Sequence, residues 1–273
     1  MLYRGVNRLR RSLYRAGVLR PKRLPRPVIS IGNIATGGAG KTPAVIALAN
    51  DLARRGMKVA VLTRGYGKRG NTSGLMDSAD AARFGDEPSL IKLRTENADV
   101  IVGANRFDNG SFYLAAHSCD VFVLDDGFQH LQLARDIDVV IDLPSPRFSR
   151  EGRAALRYAH FVISRRLRLA IPESLAGQRV FAFSGLADNE QFFDSLRAGG
   201  LNVIGSRSFE DHHRYSDEDV ESILASAHQA GAEGVVTTEK DAVKLQRSEI
   251  TAIPVEFVFD PPVLDEIYAR IRR

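Results

Sequence analysis

The chain has 273 residues, 44% hydrophobic and 26% charged, a balance that excludes disordered and fibrous proteins and leaves room for two cores. Cys119 is the only cysteine, which rules out a disulfide framework or a cysteine-built zinc site and fits a reducing compartment. No run reaches the roughly 18 apolar residues of a membrane span and none near the start has the apolar core of a secretion signal, so the sequence reads as soluble and cytoplasmic.

The net charge of +5 is unevenly spread. Residues 1–26 hold Arg4, Arg8, Arg10, Arg11, Arg15, Arg20, Lys22, Arg23 and Arg26 with no acid, leaving the rest of the chain slightly acidic. Within that arm Leu2, Val6, Leu9, Leu13 and Ala16 recur at helical spacing, with Arg4, Arg8, Arg11 and Arg15 on the opposite face. Gly17, Pro21, Pro25 and Pro27 end the helix.

Strand and helix patterns then alternate. A strand is expected over 28–31, a glycine-rich loop, a helix over 42–55 with Pro43 in its first turn, and a strand over 58–63. A long polar loop follows, of the length that usually carries function. Beyond it come a helix over 88–94, a strand over 100–102, a helix over 106–117 and strands over 121–124 and 137–141. Residues 147–168 are arginine-rich and irregular, and read as a hinge. A second series has strands over 180–183, 203–206, 234–237 and 255–259, with helices over 190–198, 217–230 and 262–272. Ser216 before three acids is a good helix N-cap. Apolar strands alternating with helices define an α/β fold with a parallel sheet covered on both faces.

The strongest chemical signal is Thr36-Gly37-Gly38-Ala39-Gly40-Lys41-Thr42 between a strand and a helix. Glycines let backbone N–H groups curl around phosphate oxygens, the lysine reaches the β- and γ-phosphates, and the threonine hydroxyl suits Mg²⁺. Ala35 stands where the strict motif has glycine. The apolar run 121–124 ends in Asp125-Asp126, the form of a strand whose acid holds Mg²⁺; alone it would equally suit a capped turn. These features predict a P-loop NTPase-like core over 27–165, preceded by the arm over 1–26 and followed by a smaller α/β subdomain over 166–273.

Gly85-Asp86-Glu87-Pro88 opens a helix, so Asp86 and Glu87 suit either capping or, for Asp86, general-base chemistry. Asp211-His212-His213 has no further ligands at zinc-like spacing, and a histidine orienting a carboxylate is as good a reading. Arg64-Gly65-Tyr66-Gly67, Arg106 and the segment from Thr237 to Asp241 stand at the carboxyl ends of predicted strands, where open α/β sheets bind ligands.

Taken together the chain resembles the tetraacyldisaccharide 4′-kinase family of the lipid A pathway. The matching segments are 27–33 running into Gly37 to Pro43, then 64–67, 85–88, Asp125-Asp126-Gly127-Phe128-Gln129-His130, Phe209 with Asp211-His212, and 238–241, in family order. The resemblance implies ATP- and Mg²⁺-dependent phosphorylation of the 4′-hydroxyl of a tetraacylated glucosamine disaccharide 1-phosphate, giving lipid IVA. It implies Asp86 as the base with His212 paired to it, and Lys41 and Thr42 on the phosphates and Mg²⁺. Asp125 and Asp126 would lie on the metal side, with Glu87, Arg106, Gln129 and His130 lining the site. Residues 146–152 depart from the family's pattern, which bears on substrate contacts there.

A lipid substrate gives the arm a meaning: an arginine-faced amphipathic helix can lie on anionic lipid at the cytoplasmic face of the inner membrane. The competing expectation is that its apolar stripe packs on the protein's own body. Other classes fit less well. A partitioning ATPase would carry a signature lysine at Thr36, a GTPase would need an Asn-Lys-x-Asp reader, and a nucleic-acid anchor would interleave more stacking aromatics than Tyr3 and Tyr14. No nucleic acid and no obligate protein partner is expected.

Overall fold

A computed structural model describes residues 2–35, 38–65, 73–143, 150–245 and 247–272. In chain order they form α1 (Leu2–Arg15), β1 (Val28–Asn33), α2 (Lys41–Arg54), β2 (Val59–Thr63), β3 (Gly74–Leu75), α3 (Ala81–Phe84), α4 (Asp86–Arg94), β4 (Ala98–Val102), α5 (Arg106–Ala116), β5 (Val121–Asp125), β6 (Ile137–Asp142) and β7 (Phe161–Ser164). Then come β8 (Leu167–Leu169), β9 (Arg179–Ser184), α6 (Asn189–Ala198), β10 (Asn202–Ser208), α7 (Asp217–Gln229), β11 (Gly234–Thr238), α8 (Glu239–Leu245), β12 (Ile250–Ile253), β13 (Val255–Phe257) and α9 (Pro261–Ile271).

The chain divides into two compact units. The first comprises Met1–Ala79, Arg83–Arg166 and Phe257–Arg273. The second comprises Asp80–Ala82 and Leu167–Glu256. The last helix therefore belongs with the first unit, not with the C-terminal series to which the linear pattern assigned it. The reason is local: α9 lies against α2, where Arg55 pairs with Asp265 at 2.8 Å and stacks over Tyr268.

In the first unit seven strands run in the order β3-β4-β2-β5-β1-β6-β7, all parallel except the short edge strand β3. Strands β1, β2 and β5 are buried at every residue, which explains why they read as continuous apolar runs and not as alternating ones. Strand β7 falls inside the stretch expected to be a hinge. As an edge strand with alternating half-buried and exposed residues it has too little apolar signal to stand out among arginines. Helix α4 begins at Asp86, two residues before the expected start, so Asp86 and Glu87 lie inside its first turn and Gly85 is the N-cap.

In the second unit β10-β9-β11-β12 form a parallel sheet, and β8 pairs with β13. Its core gathers Phe183, Phe193, Leu196, Ile223 and Val236. Ser216 caps α7 as expected, in a full capping box with Asp219. Strand β12 and helix α8 were not foreseen; both are short and follow closely on β11.

Candidate active site

Strand β1 sets the frame. Ile31 pairs with Asp125 across the β1–β5 ladder, so the acid at the tip of β5 emerges beside the point where β1 runs into the glycine loop. The turn after β5 folds back on β1: Gly127 N–H donates to the Ile31 carbonyl at 3.1 Å. A side chain at Gly32 would stand 2.6 Å from Phe128 Cβ and 2.9 Å from its backbone nitrogen, so only glycine admits this turn.

Thr36 and Gly37 lie outside the described residues. From Gly38 onward the loop enters α2 through Gly40, whose φ of 76° is a left-handed value natural to glycine. Ala39 is buried, and Lys41 and Thr42 open the helix, where unpaired N–H groups and the helix dipole favour an anion. Lys41 Nζ stands 3.6 Å from Asp126 Oδ1, and Arg150 Nη1 donates to Asp126 Oδ2 at 2.6 Å. Burial alone would raise the Asp126 carboxyl, but Lys41 and Arg150 outweigh it and hold the group below its ordinary range. Asp126 is thus an anion shared by two cations, on a backbone with a φ of 49°.

Asp125 is shifted the other way. Burial, then the nearby charges of Glu87 and Asp126, push its carboxyl up to about 7, although Thr63 Oγ1 donates to it at 2.9 Å. Glu87 thereby belongs to the same field, at the start of α4, with Asp86 beside it and half-buried. Arg106, the first residue of α5, is buried and donates to the Ala104 carbonyl at 2.9 Å. Burial lowers its affinity for the proton while Asp125 and Asp126 oppose that shift. Burial and the charges of Arg106 and Arg135 bring His130 down to about 4, so its ring is neutral at neutral pH. Gln129 donates to the Asn33 carbonyl at 2.7 Å.

Several buried polar atoms in this region have no hydrogen-bond partner among the described residues: Asn33 Nδ2 and Oδ1, Arg106 Nε, Asp126 Oδ1, Gln129 Oε1 and His130 Nε2. Buried polar groups are ordinarily satisfied, so such a concentration points to a polar ligand, water or ion. Among the described residues no three His, Cys, Asp or Glu side chains converge as a metal cage.

The structure brings Lys41, Thr42, Asp125, Asp126, Glu87, Arg106, Gln129 and His130 onto elements of the first unit. His212 is in the second unit, with a φ of 62°, its Nε2 3.3 Å from Lys240 Nζ. His213 instead bonds Asp219 at 3.0 Å and packs on Phe209 and Tyr215. Tyr66 and Gly67 and residues 146–149 lie outside the described residues. Sequence reasoning missed three contributors. Thr63 holds Asp125, Arg150 holds Asp126, and Arg165 Nη1 donates to the Gly38 carbonyl at 2.8 Å, which puts a guanidinium at the rim of the loop. Arg165 follows directly on the unrecognised strand β7, so finding that strand would have flagged it.

A depression of about 490 Å³ is lined by Asp188, Glu190 and Asp194, and another of about 340 Å³ by Lys58, Asp99 and Tyr113 at the amino-terminal end of the first sheet. Neither joins a base to a phosphate-binding loop.

A parallel sheet whose first strand passes through a glycine loop into a helix, beside an acid-tipped neighbour, places this chain in the P-loop NTPase-like class of α/β proteins. A family model described as LpxK, tetraacyldisaccharide-1-P 4′-kinase, matches residues 1–151 and 148–272. The chain is 37% identical to the tetraacyldisaccharide 4′-kinase of Pelobacter propionicus, over 90% of this chain and 81% of that one. It is 39% identical to that of Anaeromyxobacter sp. strain K, over 89% and 79%. A crystal structure of LpxK from Aquifex aeolicus in complex with ATP aligns with a TM-score of 0.82 at 29% identity, covering 99% of this chain and 96% of that one. The chain belongs to the tetraacyldisaccharide 4′-kinase family.

Proposed function

We infer that this chain transfers the γ-phosphate of ATP to the 4′-hydroxyl of a tetraacylated glucosamine disaccharide 1-phosphate, yielding lipid IVA. The observation that carries the reading is Lys41 at the start of α2, 3.6 Å from an anionic Asp126 at the tip of the adjacent parallel strand. Backbone amides before Lys41 would cradle the phosphates, and Lys41 would stabilise charge building on the transferred group. Thr42 with Asp126 or Asp125 would hold Mg²⁺, and the crowding of Asp125 by Glu87 and Asp126 suits a cation there. When bound, Mg²⁺ supplies charge neutralisation between the phosphates.

Asp86 is the proposed base for the sugar hydroxyl. It stands in the first turn of α4 beside Glu87, and activating a hydroxyl for phosphoryl transfer needs a positioned carboxylate. Glu87, Arg106, Gln129 and His130 would line the site. Incubation with γ-labelled ATP, Mg²⁺ and the tetraacyl disaccharide 1-phosphate, resolved by thin-layer chromatography, tests the reading. Label must move to the lipid, and its absence with folded protein overturns the assignment.

The substrate's acyl chains place the reaction at a lipid surface. Among the described residues no helix is long and apolar enough to cross a membrane. Helix α1 instead leaves Val6 and Leu9 exposed, at 48% and 62%, while Asn7 and Arg11 are buried. The expectation that the apolar stripe packs on the body is therefore overturned for Val6 and Leu9, while Leu13 is half-buried and Asn7 and Arg11 turn inward. An outward apolar face flanked by arginines supports peripheral binding to anionic lipid on the cytoplasmic side of the inner membrane, each base contributing about 1 kcal/mol near the surface.

A further inference from the structure

The inward face of α1 is unusual for a helix whose work is to lie on lipid. Arg11 is 7% exposed and makes a two-bond ion pair with Glu151, itself 5% exposed, at 3.0 and 2.8 Å. The same guanidinium donates to the Phe128 carbonyl at 3.2 Å and lies over the Phe128 and Tyr158 rings. A buried charge is tolerated only when paired, so Arg11 and Glu151 fix one another. An anchor alone would not need this.

The residue preceding Glu151 is Arg150, the partner of Asp126. Its N–H and that of Glu151 both donate to the Ile34 carbonyl, at 2.6 and 3.2 Å, at the end of β1. Its own carbonyl accepts from Asn7 Nδ2 of α1 at 3.3 Å. Residues 150 and 151 are thus strapped between the strand that leads into the phosphate loop, the turn after β5, and α1. Arg11 holds the strap and the turn together, through Glu151 and through the carbonyl of Phe128, two residues after Asp126.

We propose that α1 is a positioning element of the active site: Arg11, assisted by Asn7, holds residues 150 and 151 so that Arg150 stays on Asp126. Neither Arg11 nor Asn7 touches reacting atoms. The consequence falls on Lys41, because Asp126 is shared between it and Arg150. With Arg150 in place one carboxylate oxygen is already taken, and Lys41, at 3.6 Å from the other, is free to turn to a phosphate. With Arg150 displaced, Lys41 is left as the cation paired with Asp126 and is drawn away from its substrate. The proposal rests on the kinase reading for the reaction affected, but not for the coupling itself.

The test compares Arg11→Met, Asn7→Ala, Arg150→Met and the Arg11→Met/Arg150→Met double variant on substrate dispersed in detergent, where no bilayer is needed. Displacing a group by about an ångström costs up to roughly 100-fold in rate, so Arg11→Met is expected to lower kcat about tenfold with the KM for lipid within about twofold. Asn7→Ala shifts kcat the same way by less, and Arg11→Lys restores part of the loss. If Arg11 acts through Arg150, the double variant is no slower than Arg150→Met; multiplying effects overturn the proposal. Hydrogen–deuterium exchange gives a readout independent of turnover. Exchange over 126–128 and 150–152 rises in Arg11→Met while α2 and β4 keep their protection, and unchanged protection in the first two segments overturns the coupling. Should Arg11→Met fail to fold, Asn7→Ala keeps the ion pair and is read by both measurements. Wild-type protein that leaves the lipid unlabelled would overturn the kinase reading, with the exchange data still deciding the coupling.

Discussion

Both units place acids and lysines at the carboxyl ends of parallel strands, yet the two ends are finished differently. After β11, Asp241 is fully buried and fully answered: it accepts from Gly185 N–H at 3.0 Å, Thr238 Oγ1 at 2.7 Å and Lys244 Nζ at 2.7 Å. After β5, Asp125 is buried with one hydroxyl donor and two acids nearby, and polar atoms around it go unmatched. A buried carboxylate that the protein satisfies by itself is structural. One whose nearest charged neighbours are acids is, under the proposed function, suited to a cation.

The contrast can be broken at its ends. The largest effect is expected from Lys41→Met and Asp86→Asn, which should lower kcat by about 10²–10⁴-fold without shifting the thermal unfolding midpoint. Near-normal turnover of Asp86→Asn would remove it as the base. Asp241→Ala should act on stability instead, since removing one partner of a buried pair costs about 3–5 kcal/mol; urea unfolding measures it.

Asp125→Asn should do the reverse, raising stability in EDTA at pH 8 by about 1–3 kcal/mol while abolishing turnover. The sign follows from its proton. A carboxyl near 7 when folded and 3.8 when unfolded binds more protons in the folded chain between those values. Stability from this group therefore declines as pH rises through that window, and Asp125→Asn removes the decline.

His130 sharpens the comparison in the other direction. At about 4 folded against 6.5 unfolded, it takes up protons preferentially in the unfolded chain. Its contribution is lost as pH falls from 6.5 toward 4, and His130→Gln should flatten that slope by about 1–3 kcal/mol. The smallest effect is reserved for the membrane face. Leu9→Asp should weaken co-sedimentation with anionic vesicles by about 1–2 kcal/mol. Deleting residues 1–20 would be a poorer test, because it also removes Arg11 from Glu151.

Much of the core was legible because the signals are local. Strands β1, β2 and β5 are mostly apolar and buried throughout, and the glycine loop has a fixed order, so both survive reading one residue at a time. Strand β7 and helix α8 were hidden because an edge strand and a two-turn helix carry little periodicity. Arg150 and Arg165 were hidden for another reason: an arginine among arginines has no distinguishing neighbour in the sequence.

The sequence by itself determined the alternation of strands and helices, the phosphate loop, the acid-tipped strand and the amphipathic character of the arm, since each depends on spacing along the chain. Tertiary structure decided which face of α1 turns inward, which of two adjacent aspartates gives up its proton more readily, and that α9 joins the first unit. Those outcomes turn on burial and on charges brought together from distant positions, such as Arg11 with Glu151 and Lys41 with Asp126. A helical stripe has two sides, and only the surface waiting for it settles which one is buried.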